Sequence, residues 1–217
     1  MLSRVVTTLG ASIVAAALLA GSATAARCNT NTGPSLTCTL SPTKGNTVGG
    51  TVTIVPRTGG ECGSFLDAKI TGLSAGAVHG WHIHEAGDIS ADDGTATGGH
   101  FNPQNKPHGL LGTWPLHVGD LGNLPAANRA GVSTVRRRVA RLVNTRLVRG
   151  RGLIIHAKRD DGGQPTGNAG SRLAQCVLGV ALPRTPTSRT SAPKVSVSEE
   201  DRYLHWWRSW VSKVTET

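Results

Sequence analysis

Seven of the chain's eight histidines lie between His79 and His156, and two of them form the unit His82-Ile83-His84. In a β-strand, residues i and i+2 point to the same face, so this pair can offer two imidazoles to one metal ion. Downstream follow His100, His108, His117 and Asp120, then His156 at the end of the apolar run Leu153-Ile154-Ile155. A lone histidine on a strand is ordinary polar surface. A run of seven, with a carboxylate three positions after His117, is a donor set of the kind that zinc and copper take. Such a set also constrains the fold, because stretches far apart in the chain must converge to share an ion.

The first 25 residues read as a secretory signal. Arg4 supplies the positive start, Ile13 to Ala20 the apolar core and Ala23-Thr24-Ala25 the small-residue cleavage pattern. Secretion to an extracellular, periplasmic or cell-surface setting follows. In an oxidising compartment the four cysteines, Cys28, Cys38, Cys62 and Cys176, favour two disulfides, with three pairings open to sequence reasoning. Net charge is +10, or +9 once Arg4 leaves with the signal. Arg129, Arg136, Arg137, Arg138, Arg141, Arg146, Arg149 and Arg151 occupy one stretch without an acid. That balance favours contact with an anionic cell surface or polysaccharide, with no specific nucleic acid implied.

Short alternating runs such as Thr51–Val55, Ala68–Ile70 and Leu153–His156 recur between glycine-rich turns, and Cys176–Leu182 reads as a buried strand. This spacing suggests an all-β sandwich or barrel of antiparallel strands. The stretches 85–124 and 158–173 carry almost no strand pattern, and long loops in a compact domain are usually functional. We expect one domain over 26–182 and a Pro/Ser/Thr/Arg-rich linker over 183–197. A tail over 198–217 then places Tyr203, Trp206, Trp207, Trp210, Val211 and Val214 at helical spacing. This short amphipathic C-terminal helix either packs on the body or meets an interface.

Together these motifs resemble the Cu/Zn superoxide dismutase family. Gly80-Trp81-His82-Ile83-His84-Glu85 resembles its copper strand. Gly98-Gly99-His100-Phe101-Asn102-Pro103, His108-Gly109 and His117-Val118-Gly119-Asp120-Leu121-Gly122-Asn123 resemble its zinc loop. Leu153–His156 resembles the strand of the last copper ligand, and Thr166–Leu173 the active-site arginine motif. The resemblance covers about 38–182 and implies an eight-stranded Greek-key β-barrel with long metal-binding and active-site loops. It implies His82, His84, His100 and His156 as copper ligands, and His100, His108, His117 and Asp120 as zinc ligands, with His100 bridging. Asp160, or Asp161 one residue on, resembles the aspartate that links a copper histidine to a zinc histidine. His79 resembles a structural histidine. The implied reaction turns superoxide into oxygen and hydrogen peroxide by alternate reduction and reoxidation of copper, with His100 as proton carrier and Arg172 docking the anion.

The chain departs from the family in places. The loop Asp88–Gly94 has no cysteine, and Gln175 stands where one is customary, so the usual bridge is absent and the anchoring of Arg172 is open. The barrel that the resemblance implies suggests Cys28–Cys62 and Cys38–Cys176 instead. Arg149-Gly150-Arg151 replaces a patch that is apolar in dimeric members, which favours a monomer. Two other readings stand beside the enzyme: a non-enzymatic copper/zinc module for delivery or storage, and a basic surface-binding protein. Arg172 argues for the enzyme, because a metal store needs no anion-docking group.

Overall fold

The structure is a computed structural model, and it describes residues 33–57, 62–142 and 144–182. The expected signal, Cys28, the linker and the Trp-rich helical tail lie outside the described residues. Nine strands follow one another: β1 (Leu36–Pro42), β2 (Gly49–Pro56), β3 (Ser64–Thr71), β4 (Gly80–Ile83), β5 (Asp120–Asn123), β6 (Ser133–Val139), β7 (Gly152–His156), β8 (Arg172–Val177) and β9 (Gly179–Val180). Helical structure among the described residues is limited to two single 3-10 turns, Thr95–Thr97 and Thr145–Leu147.

Alternation builds the barrel. In β1, Leu36, Cys38 and Leu40 point inward while Thr37 and Thr39 face solvent; in β3, Ser64, Leu66, Ala68 and Ile70 are buried while Phe65, Asp67 and Lys69 are exposed. The strands lie in the order β5-β4-β7-β8-β1-β2-β3-β6, all neighbours antiparallel, with β9 beside the start of β1. Because β3 pairs with β6 and β4 with β7, two connections cross the barrel ends, the Greek-key arrangement. The inward side chains of both halves form one core that includes Trp81, Leu36, Leu66, Ile70, Leu121 and Leu153.

The arginine stretch proves to be partly structural. β6 runs through it, with Arg136 and Arg138 outward and Val135 and Val139 inward. Arg137 lies against Trp81, its guanidinium carbon 5.6 Å from the ring centroid, and donates through Nη2 to Asn123 O at 2.6 Å. That bond joins β6 to β5, the two ends of the strand order. Arg141 donates to Leu116 O at 2.9 Å, and Arg151 covers Phe101 while donating to the carbonyls of Leu147 and Glu85. Loop carbonyls with no ladder partner thereby acquire donors.

Two expectations need correction. Cys176–Leu182 is not one buried strand: β8 starts earlier, at Arg172, the ladder breaks at Leu178, and Val180 and Leu182 are 47% and 84% exposed. The break follows from Leu178, which turns to exchange hydrogen bonds with Arg151 O and Gly150 N instead of continuing the strand. The stretch 85–124 also holds a strand, β5. It is short, pairs with β4 across a register shift, and contains Gly122 at φ 74°, so no alternating pattern marks it.

The expected bridge between Cys38 on β1 and Cys176 on β8 is present, and both residues are buried. Cys62 is also disulfide-bonded; its expected partner, Cys28, lies outside the described residues.

The barrel closure yields a prediction. Arg137→Met keeps much of the side-chain volume but leaves Asn123 O without its charged donor. Urea unfolding should show a loss of about 1.5–3 kcal/mol; an unchanged midpoint would mean that the bond contributes nothing.

Candidate metal centre

Strand β4 separates core from chemistry by alternation alone. Trp81 and Ile83 enter the core cluster, so His82 and His84 must project from the opposite face of the barrel wall. β7 repeats the pattern, with Leu153 and Ile155 inward and His156 on the other side. Over that outer face run the loops 84–119 and 157–171. The first returns beside β4, where His84 and His100 form an isolated β-bridge. It then brings His108 and His117 to Asp120, the first residue of β5.

The seven sequence-predicted ligands come together as two groups sharing one ring. His82, His84, His100 and His156 form the first, and His100, His108, His117 and Asp120 the second; within each, the candidate ligand atoms lie within 4.8 Å of one another. All seven residues are buried.

The second group fits a tetrahedral ion. Nδ1 of His100, His108 and His117 lies 2.9, 3.0 and 3.1 Å from Asp120 Oδ1. A tetrahedron with bonds of about 2.0–2.1 Å has edges of about 3.3 Å, close to this spacing. His108 Nδ1 has no hydrogen-bond partner despite the short distance, as expected for two ligands that face a shared cation rather than each other. The other carboxylate oxygen, Oδ2, accepts from the backbone N–H of Gly109 at 3.1 Å and of His117 at 2.8 Å, which turns Oδ1 toward the rings.

In the first group, the outer nitrogens are tied to acceptors. His84 Nδ1 lies 2.9 Å from Gly98 O, His156 Nδ1 3.1 Å from Gly170 O, and His82 Nε2 2.9 Å from Asp160 Oδ2. Each of these nitrogens must carry the proton, so the inward nitrogens keep lone pairs. His84 Nε2 and His156 Nε2 accordingly face each other at 3.4 Å, and His82 Nδ1 is buried with no partner at all. Lone pairs aimed at one another inside a protein call for a cation, and four imidazoles suit copper. His100 presents Nδ1 to Asp120, which leaves its Nε2 for this group.

Asp160 joins the groups. Its Oδ2 meets His82 and its Oδ1 lies 3.0 Å from His108 Nε2. Asp161, the competing candidate, is exposed and engages Gly163 and Asn168 instead. Gly167 passes so close that a Cβ there would overlap Asp160 Oδ1 and His108 Nε2. His79 stays outside both groups, with Nδ1 2.8 Å from His156 O. Two further contributors escaped sequence reasoning. Asn123 exchanges two bonds with the Asp160 backbone, at 2.8 and 2.9 Å, and Gln164 clamps the backbone N–H and C=O of His108 at 3.1 and 2.9 Å. Neither is a metal-type residue, so only the fold reveals them.

Arg172, at the start of β8, donates through Nη1 to Gly94 O and Thr97 Oγ1 and through Nη2 to Gly98 O. One N–H on Nη2 and the Nε–H remain for another partner. Its charge is close enough to help push the pKa of both His84 and His156 down.

The copper/zinc superoxide dismutase (SODC) family profile matches residues 48–178. The chain belongs to the copper/zinc superoxide dismutase family. An extracellular superoxide dismutase [Cu-Zn] of Caenorhabditis elegans is 39% identical over 151 residues, 64% of this chain and 67% of that protein. A superoxide dismutase [Cu-Zn] of Kluyveromyces lactis is 39% identical over 122 residues, 52% of this chain and 77% of its own. The family binds copper and zinc, and the two histidine groups are where this member can hold them.

Electrostatics prepare this family member's rings for metal. Burial pushes the pKa of His84 down to about 2, of His156 to about 3 and of His82 to about 4, with neighbouring rings adding repulsion. Burial opposes the ionisation of Asp120 and Asp160, but hydrogen bonds from the histidines outweigh it and hold both well below the usual carboxylate range. Burial also works against a charged His108, yet the nearby Asp120 carboxylate and the bond to Asp160 raise it to about 9.

These shifts predict the acid response of the metal-free protein. The unfolded chain binds protons at His82, His84 and His156 near pH 6.5, whereas the folded chain resists until about pH 4 or below. Stability from these three is therefore complete above pH 6.5 and drains as pH falls toward 4. His108 acts oppositely: its contribution is complete below pH 6.5 and is lost as pH rises through 9. Below pH 6.5 His108 is protonated in both states and adds no slope, so the urea midpoint of metal-free protein should fall from pH 6.5 to pH 4. A flat or rising midpoint over that window would contradict the buried, neutral rings.

Proposed function

We propose that this chain is a secreted copper/zinc superoxide dismutase in which His82 Nδ1, His84 Nε2, His156 Nε2 and His100 Nε2 hold copper. Nδ1 of His100, His108 and His117 and Oδ1 of Asp120 hold zinc. The observation that carries this reading is the single ring of His100 serving both groups while the rings of His82, His84, His108 and His156 each have the outer nitrogen tied to an acceptor. Copper held there would supply the one-electron couple needed to turn two superoxide ions into oxygen and hydrogen peroxide.

The chain's own residues do the rest. Arg172 keeps two N–H groups unspent, on one edge of a permanently charged plane, which matches a small diatomic anion. His100, once its Nε2 is released from the metal, would carry a proton there toward the departing peroxide, with a second proton from water. Asp160 and the carbonyls of Gly98 and Gly170 fix the ring tautomers, so that lone pairs face inward without reorganisation. Asp120 and its backbone donors preset the zinc site, which is closed by four protein ligands as structural zinc sites are. An anion-docking arginine beside the copper group favours the enzyme over a delivery or storage module.

Secretion is supported by the buried Cys38–Cys176 disulfide and by the extracellular relative. Exposed Arg129, Arg136, Arg138 and Arg149, with a net charge of +10, support contact with an anionic polysaccharide. Charge at Arg149 makes burial of that surface against a second copy costly, which supports a monomer. Sedimentation of the full chain with and without a sulfated polysaccharide tests both. One species of chain mass that shifts on addition is expected; a dimer, or no shift, contradicts the corresponding point.

The catalytic reading is tested by metal analysis alongside superoxide consumption. The protein should hold one copper and one zinc per chain and consume superoxide. His156→Ala should keep zinc and lose copper and activity together. One copper and one zinc per chain with no superoxide consumption would turn the reading toward metal storage.

A further inference from the structure

The loop Asp88–Gly94 has no cysteine to bond it to β8, yet it is not loose. Gln175 stands on β8 three residues after Arg172 and is 5% exposed. Its Nε2 donates to Ile89 O at 3.4 Å and to Ala91 O at 3.1 Å. Both partners are carbonyls, so the amide nitrogen must face them. Ala91 O also accepts the backbone N–H of Gly94 at 3.0 Å, and from Gly94 to Gly98 the chain supplies every acceptor that Arg172 uses. Lys44 N donates to Asp92 O at 2.8 Å, a second tie on the same segment. The amide of Gln175 therefore anchors one end of the segment whose other end grips the guanidinium.

We propose that Gln175 is a positioning residue for Arg172: its side-chain amide does by hydrogen bonding what a covalent bridge from this strand to this loop would do, and so sets where the free N–H groups of Arg172 point. Ala91 O is the joint, since it takes the Gln175 donor and closes the turn into Gly94. The amide Oε1 has no partner and is buried. A residue chosen only for packing would not carry the cost of a buried polar atom with no partner. The proposal rests on the reading of Arg172 as the anion-docking group.

The test uses the full chain loaded with copper and zinc, and azide as a small anionic probe followed by its absorbance on copper. Gln175→Met keeps the side-chain length and removes the donor. It should weaken azide binding about 2- to 10-fold, the effect of losing one hydrogen bond, and speed amide hydrogen exchange over residues 89–98. Arg172→Leu should weaken azide binding at least as much, and adding Gln175→Met to it should cost little more. Gln175→Asn, too short to reach Ala91 O, should behave like Gln175→Met and serves if that variant fails to load metal. Unchanged azide affinity in the Gln175 variants, with Arg172→Leu still damaging, would overturn the proposal, as would full additivity of the two changes. Azide affinity indifferent to Arg172→Leu would instead sink the docking role of Arg172 itself.

Discussion

The carboxylate of Asp160 meets His82 Nε2 with one oxygen and His108 Nε2 with the other, at 2.9 and 3.0 Å. One of those rings stands on the barrel wall and the other on a loop without regular structure. The same residue is bonded through its backbone to Asn123, whose carbonyl holds Arg137 on the far edge of the barrel. The position of the loop group relative to the wall group thus depends on one buried acid, itself fixed by the strand order. Without it, the His108 ring would lose the contact that fixes its Nε2, and the shared ring of His100 would be left to couple the two groups.

Around that anchor, the site spends almost no regular structure. The barrel contributes His82, His84 and His156 by simple alternation, because the inward neighbours Trp81, Ile83 and Ile155 need the core. Asp120 and Arg172 stand at the starts of β5 and β8, and the rest is loop, made rigid by side chains that satisfy loop carbonyls: Arg141 on Leu116, Arg151 on Glu85 and Leu147, Arg172 on Gly94 and Gly98. Arginine is suited to this, since five donors in a plane can hold several carbonyls at once. The high positive charge is in part a by-product of how the loops are held.

The histidine spacing made the two donor groups legible before any coordinates, because metal ligation restricts residue type and order more tightly than packing does. The alternating runs of β2 and β3 were legible because those strands are buried on one face, whereas β7, buried throughout, was marked by its apolar run ending in His156. β5 was not, since four residues with a positive-φ glycine carry no period. The end of β8 was misjudged because an apolar run does not say where a ladder stops, and Leu178 leaves it to bond Arg151. Asn123, Gln164 and Gln175 were invisible as site residues, because an amide side chain has no signature until its partners are known. The arginine stretch looked like one surface patch; only the fold shows that Arg137, Arg138, Arg141 and Arg151 hold carbonyls.

The central claim is that one imidazole, His100, is shared between two different metal ions. Diffraction from crystals of the copper- and zinc-loaded protein, with anomalous maps collected at each metal's absorption edge, tests it directly. The account predicts a copper peak bonded to His100 Nε2 together with His82, His84 and His156, and a zinc peak bonded to His100 Nδ1 together with His108, His117 and Asp120. A single peak, or two peaks of which only one touches His100, would contradict it.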